Sequence, residues 1–335
     1  MNVAFFELEG WEEKLIRDAF PDAELTLSRE KLNADHLPES REIEVLSVFV
    51  ESKIDTAVLD ALPKLRFITT RSTGFDHINA PLCKERGITV SYVPNYGMNT
   101  VAEFTFGLIL NLTRRVYLAV DQIKEAESFD LKHLRGIDLN NKTLGLVGTG
   151  RIGLWVARIA KGFGMTVVAF DLYPNEKAAQ EVGFSYAPLE EVLGAADVIT
   201  LHVPYNKSTH HLINRETIRQ IKRGAFLVNT SRGGVVETQA LVQALKEGIL
   251  AGAGLDVLEE ERATKTEHDF LPPDLDAESM RTVLQNHELM HMPNVLITPH
   301  NAFNTKEALE RILDTTLENI RGFLKGSPLN VIPDE

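Results

Sequence analysis

A single cysteine, Cys83, stands in 335 residues. That excludes an intramolecular disulfide framework and a multi-cysteine metal site, and it points to a reducing compartment, the cytoplasm. Positive charge is also scarce: 35 Lys and Arg against 48 Asp and Glu leave a formal charge of −13. A surface of that sign repels phosphate backbones and anionic lipid, so neither nucleic acid nor a membrane is expected as partner. A local cationic pocket for a small anion is compatible with it. No apolar run approaches the roughly 20 residues of a membrane span. The opening MNVAFFELEGWEE turns acidic where a signal peptide would be basic. Metal spacing of the H-x3-H kind occurs only at His287 and His291, without matching ligands nearby, so no metal is expected. A G-x-S-x-G nucleophile elbow is absent.

What the chain does contain is alternation. Apolar runs at Val3–Phe6, Leu46–Val50, Phe67–Thr70, Ile88–Val90, Thr143–Val147, Thr166–Phe170, Asp197–His202, Ala225–Asn229, Gly252–Val257 and Val295–Thr298 are separated by helical stretches. Continuous apolar strands alternating with helices imply parallel sheets covered on both faces, an α/β protein. Ten strands are more than one domain usually needs, which predicts two sheets. The stretch Asn99–Lys124 carries apolar residues at 101, 104, 108, 109, 112, 116 and 120 and predicts one long helix able to carry the chain between domains. Residues 262–292 break the pattern: a polar loop with Pro272-Pro273, then a helix near 278–290.

TLGLVGTGRIG places Gly148, Gly150 and Gly153 in the G-x-G-x-x-G spacing between a strand and a helix, with a second strand following. Within a βαβ unit this is a dinucleotide fingerprint. Gly148 permits the turn, Gly150 lets backbone approach a pyrophosphate, and Gly153 lets helix and strand pack. The helix start, Arg151-Ile152, offers N–H groups and a positive dipole end to the phosphates. Asp171 ends the second strand, 18 residues after Gly153, where a carboxylate suits ribose hydroxyls and repels a 2′-phosphate. The expected cofactor is NAD. His202-Val203-Pro204 and Thr230 close later strands beside it.

Three further strand ends carry chemistry-bearing residues. VNTSRGG presents Arg232, whose guanidinium suits a substrate carboxylate. GLDVLEEE presents Asp256 and then Glu259, Glu260 and Glu261. Such a run taken alone is a solvated face, but one carboxylate in a cleft can orient an imidazole; spacing does not choose among the three. ITPHNAF presents His300. Arg, Glu and His delivered to the crevice of a nucleotide-binding sheet point to general acid chemistry.

With RSTGFDHI, VPNYGMNTVAEFTFGLIL, LGLVGTGRIG, LHVPYNKSTHHLIN, LVNTSRGGVV, GLDVLEEE and ITPHNAF in this order, the chain resembles the NAD-dependent D-isomer-specific 2-hydroxyacid dehydrogenases over nearly its whole length. The resemblance implies two Rossmann-like domains with parallel sheets and a cleft between them. An NAD-binding domain would span 100–299 with the insertion 262–292, and a discontinuous substrate domain 1–99 and 300–335. It implies His300 as general acid, Glu261 as its partner, Arg232 on the substrate, Asp256 at the nicotinamide carboxamide, the Thr73-Gly74 backbone on the substrate carboxylate, and Tyr96 in the pocket. It further implies a homodimer built through the long helix near 100–124. Phe303, three residues after His300, is similar to the lactate-type branch, which implies pyruvate and D-lactate. Met98 departs from the commoner glutamate-bearing form. Hydroxypyruvate, glyoxylate or bulkier 2-keto acids are the alternative substrates, and an NAD-binding corepressor-like scaffold is the alternative class.

Overall fold

The computed structural model describes residues 1–264 and 276–333; Pro272-Pro273 lie outside them. The chain divides into two compact units, one formed by Met1–Tyr96 with Thr305–Glu335, the other by Gly97–Asn304. None of the helices described is long and apolar enough to cross a membrane.

The first unit contains β1 (Asn2–Phe5), α1 (Glu12–Ala19), β2 (Glu24–Leu27), β3 (Val45–Val48), α2 (Thr56–Ala61), β4 (Phe67–Thr70), α3 (Ala80–Glu85) and β5 (Thr89–Ser91). Its strands form one parallel sheet in the order β2-β1-β3-β4-β5. Alternation sorts the side chains between two cores. Val3, Phe5, Val45 and Phe67 face the C-terminal helix, Lys306–Leu324, which contributes Leu313, Leu317 and Ile320. Ala4, Leu46, Ile68 and Val90 face the other side, with Val58, Leu59 and Cys83 of α2 and α3. Helix starts are set by side chains that accept orphan N–H groups. Asp55 takes those of Ala57 and Val58, and Asn79 takes that of Leu82.

In the second unit α4 (Met98–Arg114) and α5 (Val116–Ala126) precede β6 (Thr143–Val147), α6 (Arg151–Gly162), β7 (Thr166–Phe170), α7 (Glu176–Val182), β8 (Ser185–Tyr186), α8 (Leu189–Ala195), β9 (Val198–Leu201), β10 (Ala225–Asn229), α9 (Thr238–Lys246), β11 (Leu250–Leu255), α10 (Glu261–Thr264), α11 (Ala277–Met290) and β12 (Val295–Ile297). Seven parallel strands run β12-β11-β10-β9-β6-β7-β8. The order reverses between β6 and β9, the switch point outside which an open α/β sheet binds its ligand. Leu144, Leu146, Val167, Ala169 and Val198 pack on α4 and α6 through Ile109, Val156 and Ala160. Val147, Ile199, Leu201, Leu227 and Leu255 pack on the opposite face with Leu193 and Leu241.

The expected single helix over Asn99–Lys124 is two helices. Arg115 adopts the left-handed conformation (φ 53°) and separates α4 from α5. A continuous helix would give the Thr113 carbonyl to the N–H of residue 117. Instead the Ile137 N–H takes it at 2.8 Å, and the Tyr117 hydroxyl turns to the Pro293 carbonyl. A competing donor more than twenty residues downstream leaves no trace in the periodicity, and the apolar stripe continues past the break into exposed Val116 and Val120. Two strands absent from the expectation, β2 and β8, are the outer strands at one edge of each sheet. Neither has the continuous apolar run that marks a central strand.

Candidate active site

The glycine-rich turn joins β6 to α6. Gly148 has φ 95°, and a Cβ there would lie 2.7 Å from the His202 carbonyl oxygen; one on Gly153 would lie 2.1 Å from the Gly148 carbonyl oxygen. Turn, strand end and helix thus meet at backbone distance. At Gly150, by contrast, an added Cβ meets nothing within 4 Å, and no side chain caps the helix that starts there. The helix start at Gly150 and Arg151 therefore borders open space, as a pyrophosphate requires. Asp171, at the end of β7, is held by the same turn. Its Oδ2 accepts the Thr149 N–H at 2.7 Å and the Thr149 hydroxyl at 2.9 Å, and its Oδ1 accepts the Tyr173 N–H at 2.9 Å. Burial pushes this carboxyl up, but the bonds from Tyr173 and Thr149 outweigh it and the net shift is downward. An ionised carboxylate beside an uncapped helix start fits a dinucleotide whose ribose carries free hydroxyls.

The His202 ring bonds Thr200 Oγ1 through Nε2 at 2.8 Å, and burial pushes its pKa to about 3. It is a neutral ring whose backbone closes the glycine turn. Val203 is half-buried and Pro204 exposed. The Thr230 hydroxyl pairs with that of Thr105 in α4 at 3.0 Å.

β10, β11 and β12 are neighbours in the sheet, so their carboxyl ends deliver three loops side by side. In the first, the Asn229 side chain shapes a turn. Its Oδ1 accepts the N–H and hydroxyl of Ser231, and its Nδ2 donates to the Arg232 carbonyl at 2.9 Å. The half-buried Arg232 guanidinium donates to the Ser231 carbonyl at 2.8 Å. No carboxylate among the described residues pairs with it. The third loop holds His300 at φ 54°, an uncommon conformation for a histidine.

Asp256 at the end of β11 stabilises that conformation. The buried carboxylate accepts the Thr298 hydroxyl at 2.5 Å and the Asn301 and Ala302 N–H groups at 2.8 Å each, and its carbonyl accepts the His300 N–H at 2.9 Å. Burial raises its pKa, opposed by these hydrogen bonds. Both carboxylate oxygens are therefore engaged with the His300 turn.

The three consecutive glutamates separate cleanly. Glu261 Oε2 faces His300 Nδ1 at 3.2 Å. Glu260 accepts the Ser279 hydroxyl at 3.1 Å. Glu259 faces His211 Nε2 at 2.6 Å. His300 Nε2 has no partner among the described residues.

Thr73, Gly74 and Tyr96 belong to the first unit. There the Thr73 hydroxyl donates to the Val93 carbonyl at 2.8 Å, the Ser72 hydroxyl to the Gly74 carbonyl at 2.6 Å, and Arg311 Nε to the Tyr96 carbonyl at 2.7 Å. Buried His77 bonds Thr70 Oγ1 at 3.1 Å, and Thr70 bonds Ser72 at 2.6 Å, so the loop bearing Thr73-Gly74 rests on a polar network. Phe303 is half-buried in the second unit. Sequence reasoning did not find the Asp256 clamp, the His77 network or the His211–Glu259 pair. Each joins a loop to a partner whose identity only the fold reveals. Among the described residues no group of three or more His, Cys, Asp or Glu is placed to hold a metal ion. The His291 ring bonds the His287 carbonyl at 2.7 Å.

Residues 106–302 match the family model of the D-isomer specific 2-hydroxyacid dehydrogenase NAD binding domain. Over its length the chain is similar to the crystal structure of a D-lactate dehydrogenase from Aquifex aeolicus complexed with NAD and lactic acid. The TM-score is 0.85 and the identity 39%, covering 97% of this chain and 96% of that one. It is 40% identical to a glyoxylate reductase of Thermofilum pendens, over 89% of this chain and 82% of that protein. It is 38% identical to an aromatic 2-oxoacid reductase of Clostridium sporogenes, over 82% of each. The chain belongs to the NAD-dependent D-isomer-specific 2-hydroxyacid dehydrogenases.

Proposed function

We propose that the chain reduces pyruvate to D-lactate, with His300 as proton donor, Glu261 as its partner and Arg232 as the group that binds substrate. The observation that carries the reaction type is the 3.2 Å approach of Glu261 to His300 Nδ1, made by a loop that neighbours the one bearing Arg232. Bound NADH supplies the hydride for the keto carbon. The chain's residues do the rest. Arg232 takes the substrate carboxylate and carbonyl oxygen through its planar fork and stabilises the charge that develops on that oxygen. His300 donates through Nδ1 to Glu261, which fixes the ring, and hands its other proton from Nε2 to the oxygen. The Asp256 clamp keeps the ring where this transfer is possible. The Thr73-Gly74 backbone and Tyr96 contribute to the substrate carboxylate and pocket, and the Gly148–Gly153 turn, Asp171, His202, Val203, Pro204 and Thr230 border the cofactor.

Phe303 supports pyruvate, since a half-buried phenyl ring three residues after the proton donor suits a methyl group. A second reading, glyoxylate or an aromatic 2-keto acid, is supported by the names of two of the relatives above. NADH oxidation with pyruvate, hydroxypyruvate, glyoxylate, oxaloacetate, phenylpyruvate and 2-ketoisocaproate separates the readings. Pyruvate is expected to give the highest kcat/KM; a roughly tenfold preference for another acid, the factor worth about 1.4 kcal/mol, overturns the lactate assignment. No turnover with any of the six would favour a scaffold role.

We also propose a homodimer that covers α5 and the segment after it. Val116, Val120 and Ile123 are exposed there with Phe129 and Leu131, the latter two 84% and 81% exposed. A cleft of about 510 Å³ lined in part by Leu112, Leu118, Leu134 and Phe226 lies alongside. Contiguous exposed apolar surface of this kind marks an association site. Sedimentation equilibrium is expected to return twice the chain mass, and a monomer at micromolar concentration would refute the dimer.

A further inference from the structure

Glu259 and His211 form a second histidine–carboxylate pair, two residues before the one assigned to proton transfer. Its position invites a question about what it holds. His211 Nε2 lies 2.6 Å from Glu259 Oε1, with the side chains 30% and 16% exposed. The other oxygen, Oε2, accepts the Thr238 N–H at 2.8 Å and its hydroxyl at 2.6 Å. Thr238 opens α9, whose own preceding residue supplies no side-chain cap. Glu259 therefore caps that helix from a distant loop, where its charge also meets the positive end of the helix dipole.

The backbone ties run to the same place. The His211 N–H donates to the Gly234 carbonyl at 2.8 Å, and the Glu259 carbonyl accepts Asn286 Nδ2 at 2.7 Å. A Cβ on Gly233 would lie 2.0 Å from the Leu258 carbonyl carbon, so the chain just after Arg232 presses directly on the chain just before Glu259. Three loops meet in one knot: the loop bearing His211, the Arg232 loop, and the loop that ends in Glu261. Among the described residues, none of the hydrogen bonds of this knot reaches the glycine turn of the cofactor site.

We propose that His211 and Glu259 are a positioning couple that sets the Arg232 loop against the Glu261 loop, and through Glu261 the His300 ring. This rests on the reading of Arg232, Glu261 and His300 given above. Neither His211 nor Glu259 touches the reacting atoms. A displacement near 1 Å at a reacting centre costs about 10²-fold in rate, so loosening the couple lowers the substrate step and leaves cofactor affinity intact.

The test compares Glu259→Ala, Glu259→Gln, His211→Ala and the double variant His211→Ala/Glu259→Ala with the unaltered enzyme. The measurements are kcat and KM for the best 2-keto acid, NADH Kd by fluorescence, Tm, and the primary isotope effect with deuterated NADH. Glu259→Ala is expected to lower kcat/KM by about 10- to 100-fold, raise the isotope effect, and leave NADH Kd unchanged. Glu259→Gln, whose amide oxygen still accepts from Thr238 while its NH2 donates to the unprotonated His211 Nε2, recovers most of the loss. Because the two residues act as one unit, the double variant is no worse than the more damaging single one.

Wild-type kcat/KM in Glu259→Ala overturns the proposal. So does a loss shared by NADH binding and Tm with an unchanged isotope effect, which is what a merely structural tie would give, and so does additivity in the double variant. Should Glu259→Ala fail to fold, His211→Ala carries the same test, since it leaves Glu259 on Thr238. His300→Gln measured alongside keeps the two claims apart. Retained turnover there removes the catalytic reading itself; lost turnover there with normal Glu259→Ala removes only the couple.

Discussion

His300→Gln is expected to lose about 10²- to 10⁴-fold in turnover with the preferred 2-keto acid, the range general acid catalysis supplies, while still binding NADH. Glutamine keeps a polar side chain of similar reach but cannot give up a proton. The loss should fall on kcat, because the proton moves only as the substrate oxygen gains charge. NADH binding is spared because the residues assigned to the pyrophosphate and the ribose, the Gly148–Gly153 turn and Asp171, sit on the β6–α6 turn and at the end of β7, away from the loop that carries His300. Stopped-flow titration of NADH together with steady-state rates decides the matter. Turnover near that of the unaltered enzyme would remove His300 from the mechanism.

Arg232→Gln is expected to lower kcat/KM for the 2-keto acid by about 10²- to 10³-fold, the usual effect of removing one preorganised donor from developing charge. Its guanidinium is half-buried, donates to the Ser231 carbonyl, and has no carboxylate partner among the described residues. A cation held this way, without internal neutralisation, is available to an anion from outside. Arg232→Lys should recover little of the loss, because an ammonium lacks the planar fork that takes a carboxylate bidentately. Initial rates over a range of pyruvate concentrations test both variants. If Arg232→Gln leaves kcat/KM within twofold, the residue is a surface cation and the substrate carboxylate binds elsewhere.

The parts of this architecture that could be read in advance are those governed by local chemistry. β4, β6, β7 and β10 run between the limits expected of them, because a parallel strand covered on both faces must be continuously apolar. The glycine turn was legible for a similar reason: Gly148 and Gly153, where a Cβ would meet backbone, flank Gly150, which borders open space, at a fixed spacing. The parts that could not be read depend on distant partners. Arg115 breaks a helix that its own periodicity supports, since the Ile137 N–H competes for the Thr113 carbonyl. Spacing alone does not separate the glutamates 259–261, among which the family resemblance selects Glu261, and each faces a different group, supplied respectively by residues 211, 279 and 300. Asp256 could be placed at a strand end but not matched to the turn whose hydroxyl and N–H groups occupy it.

The first unit is built from two pieces of chain separated by all of Gly97–Asn304. On the ribosome, the sheet face formed by Val3, Phe5, Val45 and Phe67 emerges early, while Leu313, Leu317 and Ile320, which cover it, are made last. At about 5–20 residues per second, that interval is on the order of tens of seconds. During it a greasy, half-finished layer is open to chaperones and to its own kind, while the intervening unit, contiguous in the chain, has everything it needs to fold. The nucleotide-binding half is thus the natural first product of synthesis, and the other half closes only when the last helix arrives.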